Sequence, residues 1–339
     1  MTTMAVPIPG QAYGDKGWTL DDLLYAPTDL GLSAKLAELH AQRRARRAVQ
    51  PFAPMSADIG NIAVIEDDGT LVNPLNTTDT TAIVQAFYQT HADDNDVVIV
   101  FIASTFPSDV EPEAGFAFYQ AVRNDIEGIG MGIFDNAAGF GLSTANLKGF
   151  INMNDLPEYP ADLDQDFLGG VASGVEILGQ EVGHMVASFI TSSAGDILGR
   201  GEAHWSFYFT TEASVLEGNT WTDNGDGTFT TTTVFDGYSE LDEYLLGFRP
   251  SSQVTTPMFV ISNPSGSPVN DSAFPASGVT VTGTRADVTM DELIETNGAR
   301  VPDASAAPKV LRTALILLVP QDTSASDEDL AKIESFQQL

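Results

Sequence analysis

The chain has 339 residues, of which 43% are hydrophobic, so it can bury a large core as one sizeable domain or as two smaller ones. Its 15 Lys and Arg against 47 Asp and Glu give a formal net charge of -32, which excludes a simple nucleic-acid binder because that class needs a basic surface. No cysteine is present, which excludes disulfides and thiolate metal sites, and no apolar run approaches the roughly 20 residues of a membrane-spanning helix.

The acidic composition and the first ten residues give expectations about whether the protein is exported. So acidic a surface favours solubility in a saline or extracellular setting. The opening residues, MTTMAVPIPG, lack the basic and apolar regions of a signal peptide. We therefore expect either a protein that is not exported by that route or a chain from which the signal has been removed.

Residues 1–56 are predicted to form a helical, propeptide-like accessory segment, with helices at 18–24 and 33–49. The second helix ends in the basic run RRARR at 43–47. This run has two interpretations: a processing site that separates a propeptide from a mature domain, or a solvated helix end that meets acidic surface elsewhere.

The rest of the chain, 57–339, is predicted to be one main domain with a strand-rich half at 57–165 and a second half at 166–339. In the first half we predict, in chain order, a hairpin of 61–65 and 70–72 around Asp67-Asp68-Gly69, a fully buried strand at 97–103, a helix at 116–126, and strands at 128–135 and 148–153. This order is typical of an α+β fold and contains no phosphate-binding glycine loop.

The second half is predicted to open with one long helix, Phe167 to Thr191. It is followed by a threonine-rich hairpin around 224–227, a short helix at 241–246, strands at 259–262 and 278–282, a helix at 290–295, a buried strand at 311–319 and a terminal helix at 327–336. The hairpin loop Asp223–Asp226 could hold calcium, but it lacks the ligand spacing of an EF-hand loop, and a plain turn is the alternative.

A polar stripe runs along the otherwise apolar long helix. Glu176, Gln180 and His184 follow one another at four-residue spacing, with Glu181 beside them. The quintet QEVGH differs by one residue from HExxH, in which two histidines bind zinc and the glutamate acts as general base. By this pattern Glu181 is the candidate base and His184 a candidate ligand, and Gln180 replaces the first histidine with a weak, neutral donor.

The further donors of such a site must come from elsewhere in the chain. Of the four histidines, His40 and His91 are interpreted as surface residues. The candidate ligands are His204, which precedes Trp205, and the neighbouring acids Asp242 and Glu243.

Taken together, QEVGH at 180–184, HWSFYF from His204, EGNTWTDNGDGTFT at 217–230 and YSELDEYLLG at 238–247 resemble a family of bacterial secreted zincin-type metallopeptidases. The resemblance covers about 58–336. It implies a zincin-like mixed sheet, a long active-site helix, a hairpin-rich C-terminal part, zinc as cofactor and a peptide or protein as substrate. In this chain Leu246 stands where that family has Met.

Two hypotheses remain open. In the first, the protein is a zinc-dependent peptidase with Glu181 as base and with His184, His204, Asp242 and Gln180 holding the metal. In the second, it is a catalytically inactive zincin fold that serves as a secreted structural or binding protein. Under the second, His184 is a core histidine bonded to Glu181 or Asp242, and Glu181 pairs with His184 or Arg200. The sequence specifies no oligomeric state.

Overall fold

The computed structural model describes residues 4–5, 55–72, 78–106, 117–142, 146–168, 170–266 and 269–337. The strands in chain order are β1 (Met4–Ala5), β2 (Met55–Ile59), β3 (Ile62–Asp67), β4 (Val97–Ile102), β5 (Phe118–Ala121), β6 (Arg123–Asn124), β7 (Phe134–Asp135), β8 (Gly149–Asp155), β9 (Asn219–Asp223), β10 (Thr228–Val234), β11 (Met258–Ser265), β12 (Thr280–Val288) and β13 (Thr313–Pro320). The α-helices are α1 (Thr80–Tyr88), α2 (Gly174–Gly183), α3 (Glu240–Leu246), α4 (Met290–Asn297) and α5 (Asp327–Gln337). The accessory helices predicted at 18–24 and 33–49 lie outside the described residues.

The chain divides into two compact units. The first comprises Met1–Val122, Asn136–Leu163 and Arg312–Leu339, and the second comprises Arg123–Asp135 and Asp164–Leu311. Compared with the predicted halves, 57–165 and 166–339, β6 and β7 lie in the second unit, and β13 with α5 lies in the first. No helix in the described ranges is long and apolar enough to cross a membrane.

The first unit is built on a seven-stranded mixed sheet in the order β1-β5-β8-β4-β13-β3-β2. The four strands β8, β4, β13 and β3 run parallel, and the strands outside them pair antiparallel. All six residues of β4 are buried, as expected for a parallel strand covered on both faces. Helix α1 begins at an Asp79 cap and buries Ile83, Val84 and Phe87. In α5, Phe336 packs on Phe101 of β4.

The second unit contains a four-stranded antiparallel sheet in the order β11-β12-β10-β9, the short β6-β7 hairpin, and helices α2, α3 and α4. Trp221, Phe229, Phe259 and Val281 from the four strands form one apolar cluster. A second cluster gathers Trp205, Leu216 and Leu245 with residues from α4. The combination of helices with a mixed sheet is confirmed, and the zincin-like character of that sheet stays a prediction.

Most of the predicted elements are confirmed within a few residues. They are the strands near 97–103, 148–153, 259–262, 278–282 and 311–319, the hairpin around 224–227, and the helices near 241–246, 290–295 and 327–336. Each of these segments carries its own stop signal or a continuous apolar run. For α3, Gly247 adopts φ +82° and ends the helix as the sequence indicates.

The long helix predicted at 167–191 is wrong in length, since α2 covers only ten residues. Leu168 forms a β-bridge with Ala172, and Ser173 then caps the first turn. The helix ends at Gly183, with His184 as its C-cap. Five glycines in this stretch, at 169, 170, 174, 179 and 183, weaken the helix, so capping decides where it begins.

Three other predictions are wrong. The helix predicted at 116–126 contains strand β5, because Phe118–Ala121 pairs with β8. The strand predicted at 128–135 shrinks to Phe134–Asp135, because the glycines at 128 and 130 adopt positive φ. In the predicted hairpin, β3 pairs instead with β2, since the Asp67 carboxylate accepts the N–H groups of Gly69, Leu71 and Val72 and holds 69–72 as a loop.

Candidate functional site

Helix α2 carries three of the predicted site residues. Its start is fixed by a capping box in which Glu176 accepts from the Ser173 N–H at 2.7 Å and Ser173 Oγ accepts from the Glu176 N–H at 3.3 Å. Glu176, the first residue of the polar stripe, therefore takes part in capping the N-terminus of α2. Gln180 and Glu181 follow in the last turn, and both side chains are completely buried.

His184 lies at the C-terminal end of α2 with its ring buried. Its Nδ1 lies 3.3 Å from the carbonyl oxygen of Ala187. A carbonyl can only accept, so Nδ1 carries the proton and the neutral ring keeps a lone pair on Nε2. That Nε2 is buried and has no hydrogen-bond partner among the described residues.

His204 follows a short turn of 3₁₀ helix, Arg200–Glu202, and its ring lies across that of His184 at a centroid distance of 4.7 Å and an interplanar angle of 87°. Its Nδ1 donates to the Arg200 carbonyl at 2.8 Å, so Nε2 again holds the lone pair. This Nε2 accepts from Arg200 Nη2 at 2.8 Å and from Gln180 Nε2 at 3.0 Å.

The orientation of the Gln180 amide follows from the His204 tautomer. Because His204 Nε2 is an acceptor, Gln180 must present its NH₂ group to it. The Gln180 Oε1 atom is then left buried without a hydrogen-bond partner in the described part of the chain. Two buried acceptors, on Gln180 and His184, therefore belong to side chains that both contact His204.

Both imidazoles are held in the neutral form. Burial lowers the pKa of His184 well below the ordinary value, and the neighbouring His204 lowers it further. Burial also lowers the pKa of His204, with Arg200 as the next cause. Neutral imidazole is the form that ligates metal ions and the form that accepts hydrogen bonds.

A buried ion pair borders the histidines. Arg200 donates from Nε to Glu217 Oε1 at 3.0 Å, and its Nη2 also contacts Glu217 Oε1. The Glu217 side chain is 1% exposed, and its Oε1 lies 3.8 Å from His204 Nε2. Sequence reasoning missed Glu217 as a site residue, although it begins the quoted stretch EGNTWTDNGDGTFT, and weighed Arg200 only as a partner of Glu181.

Glu181, the predicted base, lies near Tyr238. The pKa of Tyr238 is raised first by burial and then by the charges of Asp242 and Glu181. The Tyr238 hydroxyl donates to the Gly179 carbonyl oxygen at 2.5 Å, which ties this tyrosine to α2.

The structure places Asp242, Trp205 and Glu243 in other roles. Asp242 Oδ1 accepts from Trp205 Nε1 at 2.9 Å, and Oδ2 accepts from the Ser239 N–H and Oγ, both at 2.8 Å. To ligate a metal, Asp242 would have to release these bonds. Glu243 pairs with Arg249 at 2.5 Å at the surface of α3. The structure thus brings together Gln180, His184 and His204 but gives Asp242 and Glu243 different partners.

The loop Asp223–Asp226 forms a hairpin turn. Asp223 Oδ1 accepts from the Gly225 N–H at 2.9 Å, and Asp226 Oδ1 accepts from the Thr228 N–H at 3.0 Å. These bonds are those of a plain turn. Within the described ranges, no three His, Asp or Glu side chains are grouped so as to hold a metal ion.

Comparison with known proteins gives no relative. No family model, no curated protein and no solved structure matches this chain.

Proposed function

We propose that the cluster of Gln180, His184 and His204 binds a zinc ion and that the protein is a zinc-dependent, zincin-like peptidase. One observation carries the proposal: the buried acceptors His184 Nε2 and Gln180 Oε1 have no hydrogen-bond partner in the described residues, and both side chains contact His204. A buried polar atom left unpaired costs about 1–3 kcal/mol, and a ligand that accepts its lone pair removes that cost.

The chemistry of the donors supports zinc. Imidazole nitrogen is a preferred zinc ligand, and both rings are neutral. Each Nδ1–H is fixed by a backbone carbonyl, that of Ala187 for His184 and that of Arg200 for His204. Such second-shell bonds commonly orient the histidines of metal sites, with the opposite nitrogen facing the ion.

Gln180 lowers the expected affinity. An amide oxygen is neutral and a weaker zinc ligand than the imidazole that HExxH would supply. The bound zinc would polarise a peptide carbonyl and lower the pKa of a water molecule. Glu181, on the same helical turn as Gln180, is the group proposed to take up the proton from that water.

Zinc titration of the full, chelator-treated chain by calorimetry tests the proposal. We expect one zinc per chain, and we expect Gln180→His to tighten binding at least about tenfold because it restores an imidazole donor. The matched control is Gln253→His, on an exposed turn of the same unit, which should leave the affinity unchanged. Peptidase activity should be lost in Glu181→Gln while zinc remains bound. Absence of zinc binding in both the wild type and Gln180→His would refute the site.

A second candidate function is favoured by one specific observation. Arg200 Nη2 already donates to His204 Nε2 and Arg200 also pairs with buried Glu217, so a cation stands where a metal would bind. We infer that in this form the protein is a catalytically inactive zincin-like fold with a structural or binding role. It then contains no zinc after purification, its urea unfolding is insensitive to chelator, and Glu181→Gln changes stability alone. Chelator-sensitive unfolding would exclude this candidate.

A further inference from the structure

We propose that the Arg200 guanidinium and a metal ion compete for the same two side chains, His204 and Glu217, so that Arg200 controls access to the site and Glu217 becomes its acidic ligand when Arg200 withdraws. The inference rests on the proposed zinc site and adds to it a fourth donor and a regulatory residue.

The geometry of the two acceptors supports direct competition. Arg200 Nη2 contacts both His204 Nε2 and Glu217 Oε1, and these two acceptor atoms are 3.8 Å apart. A single donor thus bridges the nitrogen lone pair and the carboxylate. Imidazole nitrogen and carboxylate oxygen are the donors that zinc takes in metallopeptidase sites.

Because both are positively charged, the Arg200 guanidinium and a metal ion exclude each other from the site. The Glu217 carboxylate is buried, and a buried anion needs a cation beside it. Either the guanidinium or a divalent ion meets this need. Both together would bring like charges into contact in a medium of low dielectric constant, where repulsion is strong.

Arg200 is the member of this trio with a route to solvent. Its side chain is 16% exposed, against 2% for His204 and 1% for Glu217. It opens the turn Arg200–Glu202, in which Gly201 and Glu202 are exposed and Gly201 has φ +63°. Of the three side chains, the long Arg200 side chain is therefore the one that can withdraw toward solvent.

The test compares zinc affinity in full-length variants by calorimetry. We expect Arg200→Met to bind zinc about 10- to 100-fold more tightly than the wild type, because zinc no longer displaces charge-assisted hydrogen bonds. Arg249→Met is the matched control, since it removes another arginine that pairs with two glutamates of the same unit, and it should stay within about twofold of wild type. Adding Glu217→Gln to Arg200→Met should abolish the gain, because the acidic ligand is lost.

The outcomes separate this inference from the proposed function. If wild type binds zinc and Arg200→Met binds it equally well, the competition is refuted and the zinc site stands. An equal gain in Arg249→Met would also refute it, because net charge alone would explain the change. If neither wild type nor Gln180→His binds zinc, the proposed function itself fails, and the competition fails with it.

A second measurement needs no variant, in case Arg200→Met fails to fold with Glu217 unpaired. In wild-type protein labelled on arginine, zinc saturation should shift the Arg200 side-chain resonances and speed its N–H exchange with solvent. The resonances of Arg300, whose guanidinium bonds the carbonyls of Leu245 and Pro302, should not move. Unchanged Arg200 signals in the zinc-saturated protein would overturn the competition.

Discussion

Replacing Asp242 by Ala should unfold the second unit at much lower denaturant concentration. This carboxylate is completely buried and accepts from Trp205 Nε1 at 2.9 Å and from the Ser239 N–H at 2.8 Å. It closes the capping box of helix α3, in which the Asp242 N–H donates to Ser239 Oγ. Alanine keeps the helix backbone but offers no acceptor to either donor.

The magnitude follows from these bonds. Each buried donor left unpaired costs about 1–3 kcal/mol. With the Trp205 and Ser239 donors both orphaned, the free energy of unfolding should fall by about 2–6 kcal/mol. At an m-value of about 2 kcal/mol/M, the urea midpoint falls by roughly 1–3 M.

Tryptophan fluorescence is a suitable probe for this transition. Of the three tryptophans, Trp205 and Trp221 lie in the second unit, and Trp18 can be replaced by Phe in every variant to keep the signal local. Urea unfolding is then followed for Asp242→Ala and for Glu243→Ala. The neighbouring Glu243 makes one surface ion pair with Arg249, so its loss should cost less than about 1 kcal/mol.

The same pair of variants decides between the two roles of Asp242. As a structural acceptor, Asp242 controls stability, and zinc affinity measured on the folded fraction stays unchanged. As a metal ligand, it would control zinc affinity. If Asp242→Ala is as stable as Glu243→Ala, or if it folds normally and loses zinc, the structural reasoning is refuted.

Two further predictions concern pH and backbone geometry. In metal-free protein, stability should fall as pH drops below about 6.5, because the unfolded chain then binds protons that buried His184 and His204, with lowered pKa, do not. The slope reaches about 1.4 kcal/mol per pH unit for each histidine. Urea midpoints at pH 7.5 and 5.5 measure this pH dependence of stability. An equal dependence in His184→Gln would contradict the assignment of the effect to the buried histidines. Gly130→Ala should lower the free energy of unfolding by about 2–5 kcal/mol, because Gly130 has φ +77° and the added Cβ would overlap the Phe189 carbonyl. The control Gly132→Ala places its Cβ in open space and should lower it by less than about 1 kcal/mol. Thermal melting of the two variants measures the difference.

Part of the candidate site could be read from local spacing. Gln180 and His184 stand four residues apart, and this places them on one helix face in any α-helix. The scarcity of histidine made His204 a candidate. Asp242 and Glu243 were candidates on the same chemical grounds, yet their oxygens bond Trp205 and Arg249, which sequence spacing does not reveal.

Arg200 and Glu217 show why the remainder of the site could not be read. The two residues are 17 positions apart, and Arg200 is four from His204. Both look like ordinary surface charges in a chain with net charge -32. Only burial makes their pairing necessary, since a charge removed from water needs a nearby opposite charge.

Elements with local signals can be predicted from the amino-acid sequence. The continuous β-branched and aliphatic runs of β4 and β13, the Ser239 cap and Gly247 end of α3, and the Asn-Gly-Asp-Gly turn between β9 and β10 act over a few residues, through sterics, capping bonds and burial. Three features depend on the folded chain: which strands run parallel, where α2 begins and ends, and the contact of His204 with Gln180, 24 residues away. Those features depend on contacts between distant segments, and their energies arise only when the segments pack together.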